Sequence, residues 1–411
     1  MSSRYVIQPL DLPEALLRIQ ALINPVATTE GVTLDTALGR ILSESLTAEI
    51  DVPPFPSSAM DGYALRAGKL KGSPPHNLRC VGESLAGHPY SGTIDTGECI
   101  AITTGAAVPD SADCVVAQED CEVDGEQIEI AVTAVSGDNV RAAGNDFCAG
   151  TTLLTEGRML NAFDLAWLAS AGISHIGVRS KPSVAVFSSG DELRAPGERL
   201  QPGQIFDSNR YALRELLSNM PVSVTDMGVL ADDPERITAA LAAAAERHEL
   251  LLTSGGVSVG SADFLKEALQ QLGSLDLWRL NLKPGKPLAF GRLGNCVFIG
   301  LPGNPVSAIV TFLLIARPAI LTLAGCKQIE DPLTFPALLR CDVKHTPGRE
   351  EYQRGRLFPG NAGMEVDITG EQSSNRLSSF SNADCLVRIS KESADLSAGT
   401  QVTVLPFHGL I

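Results

Sequence analysis

Between Val184 and Leu323 short apolar runs alternate with amphipathic segments, and this alternation constrains the fold more than any other feature of the chain. Val184–Phe187 precedes a helical pattern over Asn209–Ser218, Ser223–Val229 precedes one over Pro234–Arg247, and Leu250–Thr253 precedes one over Ala262–Leu272. Apolar runs near Leu275–Leu282, Leu288–Gly291 and Val297–Ile299 then lead into a last helix, with Asn304 as N-cap and Pro305 in its first position. Strands that are apolar on both faces must be covered twice. The pattern therefore predicts a parallel sheet between two helical layers.

In such a sheet, ligands bind outside the carboxyl ends of the strands. The unusual residues fall there: S-S-G-D-E-L from Ser188, A-D-D-P from Ala231, T-S-G-G-V-S-V-G-S-A-D from Thr253 and G-L-P-G-N-P-V-S from Gly300, with K-P-G-K-P from Lys283 beside them. Glycines let backbone N–H groups approach an anion, and Lys283 and Lys286 add full charge, so these loops predict a cradle for phosphate or another oxyanion. One crevice would collect Asp191, Glu192, Asp232, Asp233 and Asp263 as acids and Arg279, Lys283 and Lys286 as bases. That mixture suits a magnesium-dependent reaction on a phosphoanhydride. Each residue alone has a plainer reading: Asp232 as a helix cap, Asp191 or Glu192 as a strand end, the lysines as solvated turn residues, Asp263 as a carboxylate offsetting a helix dipole. Convergence of several loops is what argues for a site.

At 411 residues the chain needs more than one core. A net charge of −16 disfavours a nucleic-acid coat, so any anion site is a local basic pocket. Nine scattered cysteines, with no C-x-x-C pair, predict reduced thiols in a cytoplasmic protein. No signal-peptide pattern occupies residues 1–30, and Val306–Leu323, interrupted by Arg317 and Pro318, reads as a buried helix rather than a membrane span.

Elsewhere the texture changes several times. Leu12, Ala15, Leu16, Ile19 and Leu22 repeat at helical spacing after Asp11, a candidate cap, and a second short helix is expected around Asp35–Ser45. Residues 51–144 are Pro-rich with short apolar runs, predicting an inserted β-rich domain. Asn161 then caps a helix over Ala162–Ala171, with Asp164 in the capping-box position. Residues 1–50 and 145–181 thus form a split helical domain, 182–327 the α/β domain, and 328–411 a closing β domain with strands at Leu338–Val343, Met364–Ile368, Cys385–Ile389 and Gln401–Val404. By chemistry alone, Asp61-Gly62, Thr104-Gly105 and Asp146 read as turn residues.

The strings D-V-P-P-F-P-S-S-A-M-D-G-Y-A from Asp51, T-T-G-A-A-V-P from Thr103, S-G-D-E-L from Ser189, D-S-N-R from Asp207 and the three glycine loops above, in this order, resemble the molybdopterin molybdenumtransferase family, MoeA and the gephyrin E domain. The resemblance covers essentially the whole chain. It implies an elongated homodimer of four-domain subunits: a three-layer α/β molybdopterin-binding domain, a split helical domain, an inserted β domain and a C-terminal β-barrel-like domain. It also implies a reaction in which adenylylated molybdopterin and molybdate yield molybdenum cofactor and AMP with Mg²⁺, downstream of a molybdopterin adenylyltransferase.

Carried over by position, the family's functional residues are Asp61, Thr104, Asp146, Glu192, Asp232, Asp263, Lys283 and Lys286, with Glu192, Asp232 and Asp263 as metal ligands. Ser254, Gly255, Gly256, Ser258, Arg279, Pro302, Gly303, Asn304 and Pro305 are implied to bind substrate. Lys286, Pro287, Ser307, Arg354 and Ser374 are implied to take molybdate, a dianion for which Arg, Lys and hydroxyl donors are suitable partners. Asp61 and Thr104 are implied to reach the cleft from the other subunit. Several positions depart from the family pattern: Arg279 stands where Lys is frequent, Ala142, Ala143 and Asn145 replace the usual charged neighbours of Asp146, Ser57 replaces an Asn, and Asn375 stands where His is common. A weakened paralogue acting as a dimeric scaffold, an adenylyltransferase, and a preference for tungstate stay open as alternatives.

Overall fold

The computed structural model describes residues 9–230, 233–256 and 264–411, apart from the side chain of Phe264. Six strands form the central sheet: β1 (Ser183–Ser189), β2 (Ser223–Leu230), β3 (Leu250–Ser254), β4 (Ser274–Arg279), β5 (Pro287–Leu293) and β6 (Cys296–Leu301), in the order β2-β1-β3-β6-β5-β4. The first four in that order are parallel, but β5 runs antiparallel to both β6 and β4. The sheet is thus mixed rather than parallel throughout. The links from β4 to β5 and from β5 to β6 are too short for a crossover helix, so these neighbours must run in opposite directions.

The apolar strands divide their residues between two faces with period two. Val184, Val186, Leu250, Leu252, Val297 and Ile299 pack with Leu213, Leu217 and the helix after β6, while Ala185, Phe187, Leu251 and Phe298 pack with Ile237, Leu241, Leu265 and Leu269 on the opposite side. The helix after β6 comprises Pro305–Thr311, a π turn at Phe312–Ala316, and Arg317–Leu323. Pro318 has no N–H to give to the preceding turn, and the wider π turn before it accommodates that loss. Pro305–Leu323 is long and apolar enough to cross a membrane, yet it lies inside the protein, with Val306, Val310, Phe312 and Ile315 in the core.

Leu12–Leu22 is helical and lays Ala15 and Ile19 on that same core. Asp11 holds the cap position but makes no capping bond. Its carboxylate instead accepts from Lys391 Nζ at 2.7 Å and Asn281 Nδ2 at 2.8 Å, and these donors hold its pKa below the usual carboxylate range. The helix expected around Asp35–Ser45 does not form. Only a 3₁₀ turn at Leu34–Thr36 is present, after which Ile41 bridges to Met159 and Leu42 to Val178. Ile41 packs against Leu321 while adjacent Leu42 packs among Leu168 and Val178. An extended chain sends neighbouring side chains to opposite sides in this way, and a helix does not.

Strand pairing joins the two outer chain segments: Thr29–Thr33 with His175–Arg179, and Leu46–Thr47 with Thr152–Leu154. The helix Ala162–Ser170 carries the expected capping box, with Asn161 Oδ1 accepting from the Asp164 N–H at 3.0 Å and the Asp164 carboxylate accepting from the Asn161 N–H at 3.0 Å. Such a cap contributes about 1 kcal/mol. Between these segments lies a second six-stranded sheet that includes Gly62–Leu65, Glu98–Ile102 and Cys114–Ala117.

The C-terminal strands are β7 (Phe335–Leu339), β8 (Glu350–Gly360), β9 (Gly363–Ile368), β10 (Cys385–Ile389) and β11 (Gln401–Pro406). They close into a five-stranded barrel in the order β8-β9-β7-β11-β10, with β10 returning to β8. Leu282 and Lys283 pair in parallel with Glu350 and Glu351 at the start of β8, which ties the barrel to the K-P-G-K-P turn.

Candidate functional site

A cleft of about 700 Å³ opens at the carboxyl end of the parallel strands. Ser189 and Glu192 enter it after β1, Gly255 and Gly256 after β3, Lys283–Pro287 before β5, and Pro302–Asn304 with Ser307 after β6; the barrel adds Arg349 and Gln372–Ser374. The loops after β1, β3 and β6 therefore meet here with the K-P-G-K-P turn and a barrel wall, whereas Asp191 and Asp233 are not among the lining residues.

Local backbone chemistry sets each loop. Gly255 and Gly256 have φ of +93° and +65°, a region that penalises residues with a Cβ. Gly285, with φ of +116°, turns the chain between the lysines, and a Cβ there would lie 2.5 Å from Thr311 Oγ1. Asn209 donates through Nδ2 to the Gly303 carbonyl at 2.7 Å and so braces the loop after β6. Arg210 anchors that brace. Its guanidinium bonds Asp207 at 3.0 Å and Asp226 of β2 at 2.7 Å, clamping the D-S-N-R segment to the sheet.

The cations of the cleft differ in their support. Lys283 Nζ donates to Glu351 Oε2 at 3.0 Å, whereas Lys286 and Arg349 form no ion pair among the described residues. Glu192 is the exposed acid of the lining. Arg354, implied to bind molybdate, does not line the cleft but is fully buried behind the Gln372–Ser374 wall. Its Nε donates to Ser379 Oγ at 2.8 Å, one terminal nitrogen donates to the Ser373 carbonyl at 3.4 Å, and the other is buried without a partner. Burial pushes its guanidinium down to about 10, so it stays charged at neutral pH.

Other candidate residues are placed elsewhere. Ser254 is buried at the end of β3, Arg279 is exposed at the end of β4 outside the cleft lining, and Pro305 forms the first helical turn behind Asn304. Asp233 caps Pro234–Ala245, accepting from the Arg236 N–H at 2.9 Å. Asp61 and Thr104 meet in the inserted sheet, away from this cleft, where Asp61 Oδ1 accepts from the Thr104 N–H at 2.6 Å and Oγ1 at 2.9 Å. Those two donors hold the Asp61 carboxyl below its ordinary range. Asp146 is also exposed, with its N–H bonded to the Val52 carbonyl at 2.9 Å. Asp232, Ser258 and Asp263 lie outside the described residues. Among the described residues no group of three His, Cys, Asp or Glu is placed to hold a metal ion.

Arg349, Gln372 and Ser373 line the cleft although sequence reasoning passed over them. For Arg349 a signal existed: T-P-G-R has the same turn chemistry as K-P-G-K, a cation beside Pro and Gly.

Residues 10–172 match the MoeA N-terminal region (domain I and II), 185–322 a probable molybdopterin binding domain, and 336–407 the MoeA C-terminal region (domain IV). The chain is 39% identical to the molybdopterin molybdenumtransferase of Haemophilus influenzae, over 93% of this chain and 95% of that protein. It is 30% identical to gephyrin of Dictyostelium discoideum, over 92% of this chain and 59% of that longer protein. The crystal structure of the molybdopterin biosynthesis MoeA protein from Pyrococcus horikoshii OT3 superposes with a TM-score of 0.84 at 27% identity, covering 97% of this chain and 100% of that one. With three matched regions in order, near-complete coverage and a shared fold, the chain belongs to the MoeA family of molybdopterin molybdenumtransferases, transferases of molybdenum cofactor biosynthesis.

Proposed function

We propose that this chain takes adenylylated molybdopterin and molybdate as substrates, cleaves the phosphoanhydride with release of AMP, and delivers molybdenum to the pterin. The observation that carries this reading is the cleft itself, where Lys283, Lys286 and Arg349 face backbone and hydroxyl donors in a protein of net charge −16. An anionic substrate is drawn to this local positive field against the mean charge of the molecule.

In this reading Gly255, Gly256 and Gly303 bring backbone close to the phosphates, while Lys283 and Lys286 hold charge on the leaving group. Ser307, Ser374 and Lys286 offer donors to molybdate. The unpartnered nitrogen of Arg354 supports an oxyanion subsite behind the Gln372–Ser374 segment, because a buried cation lacking one hydrogen bond gains from an anion. Magnesium, when bound, neutralises charge on the anhydride oxygens; Glu192 is the described residue suited to hold it, together with the substrate's own phosphate oxygens. Asp61 and Thr104 are proposed to complete the cleft from a second copy of the chain. The reaction follows that of a molybdopterin adenylyltransferase, and nine free cysteines suit a cytoplasmic setting.

Purified protein given adenylylated molybdopterin, Mg²⁺ and molybdate is expected to release AMP in step with molybdenum insertion. No AMP at saturating molybdate contradicts the proposal. ATP consumption by the chain alone would instead favour adenylyl transfer, and peptide binding by a dimer with a dead site would favour a scaffold.

A further inference from the structure

Lys283 and Arg349 stand on one buried piece of polar scaffolding. Glu351, which accepts from Lys283 Nζ at 3.0 Å, has a side chain only 3% exposed. Its other oxygen accepts from Gln353 Nε2 at 3.1 Å. The imidazole of His345, 1% exposed, brings Nε2 to 3.7 Å from the same Glu351 oxygen that holds Lys283. That nitrogen also faces the Arg349 carbonyl at 3.2 Å, while Nδ1 faces the Ser393 carbonyl at 2.8 Å. Both ring nitrogens face carbonyl acceptors, of which a neutral imidazole can donate to one, and the ring lies against both the carboxylate beneath one cleft cation and the backbone of another.

A buried carboxylate is stable only when charge and hydrogen bonds meet it, and Glu351 has an ion pair with Lys283 and a hydrogen bond from Gln353, with the His345 ring packed beside it. The Lys283 stem, by contrast, is half exposed and would otherwise sample many rotamers. The strand pairing of Lys283 with Glu351 sets where the ammonium can sit.

We propose that Glu351 and His345 are positioning residues for the transfer reaction, holding Lys283 and Arg349 at a fixed separation across the anion-binding cleft. Glu351 acts through its ion pair with Lys283, and His345 acts by bracing Glu351 and the Arg349 backbone. The proposal rests on the reading of Lys283 as a substrate-anion ligand.

The test is a double-mutant cycle on AMP release, using Lys283→Ala, the near-isosteric Glu351→Gln and the pair together. Glu351→Gln is expected to lower kcat about tenfold, since small misplacements of a reacting geometry are costly, while KM for adenylylated molybdopterin moves less than about threefold. In the Lys283→Ala background, Glu351→Gln is expected to cost nothing further, because the lysine through which it acts is gone. An equal loss in both backgrounds overturns the positioning role while leaving the cleft reading intact. Wild-type activity in Lys283→Ala refutes the cleft reading and this inference with it. Thermal unfolding checks the fold of each variant. If Glu351→Gln does not fold, His345→Gln enters the same cycle with a smaller expected loss, of which the share passing through Glu351 and Lys283 disappears in the Lys283→Ala background; full additivity there overturns the Glu351 route.

Discussion

The lysine turn and the Asp61–Thr104 contact are both polar constructions carrying candidate functional residues, but they are supported in opposite ways. Lys283 is held from behind by a buried carboxylate, and that carboxylate is held by Gln353 and packed beside His345. Asp61 is exposed, and Thr104 is its hydrogen-bond partner. A half-exposed cation that must present charge to a ligand is fixed by a buried partner, and that buried carboxylate in turn depends on its donors because a buried charge left unpaired is costly. A carboxylate in an exposed loop needs only local hydrogen bonds. We take the second arrangement as that of a surface that acts after docking against another copy, and the first as that of a preformed receptor.

The sharpest break between the two regions comes from Lys286→Ala. Lys286 has no ion pair among the described residues, so the variant is expected to lose AMP release by about a hundredfold or more with its unfolding temperature unchanged. Asp61→Ala is expected to lower the same rate about tenfold, with only a small destabilisation, because Asp61 and its partner Thr104 are both exposed. Smaller still is a ligand-linked effect. Molybdate at about three times its Kd is expected to stabilise the wild-type protein by about 0.8 kcal/mol, and to stabilise Arg354→Met far less, although the unliganded variant unfolds no earlier than wild type. Calorimetric melts with and without molybdate check this.

The smallest expected effect is a pH shift. Accepting two hydrogen bonds lowers the folded pKa of Asp61, so the contact adds stability above the ordinary carboxylate range and loses it as pH falls through the depressed folded value. Thr104→Val removes the hydroxyl donor but keeps the backbone one. The Asp61 titration, followed by carboxyl carbon NMR, is therefore expected to move upward towards its ordinary value, and the contact to fail at higher pH than in wild type.

The central sheet was legible because its strands bury both faces and so read as unbroken apolar runs, and because turn glycines sit at their carboxyl ends. The antiparallel course of β5 was legible only through link lengths. The helix expected near Ile41 and Leu42 failed because helical spacing in sequence can also come from an extended segment that buries both sides. β8 was missed for a different reason. Glu351, Gln353 and Arg354 lie at 3%, 5% and 0% exposure, burial that comes from paired polar groups and leaves no apolar pattern to find. Glu351 and the cleft residue Arg349 beside it were hidden with that strand. Loop chemistry identified Lys283, Lys286 and the Pro302–Asn304 turn, whereas Asp61 and Thr104 became candidates through family resemblance alone.

The claim that the preformed cleft and the exposed Asp61–Thr104 contact form one site across two chains is tested most directly by mixing defects. Co-expression of Asp61→Ala and Lys286→Ala chains at equal levels should yield about a quarter of wild-type AMP release, since half of randomly assembled dimers carry one intact site of two. Activity no higher than the mean of the two parent variants would contradict a shared site.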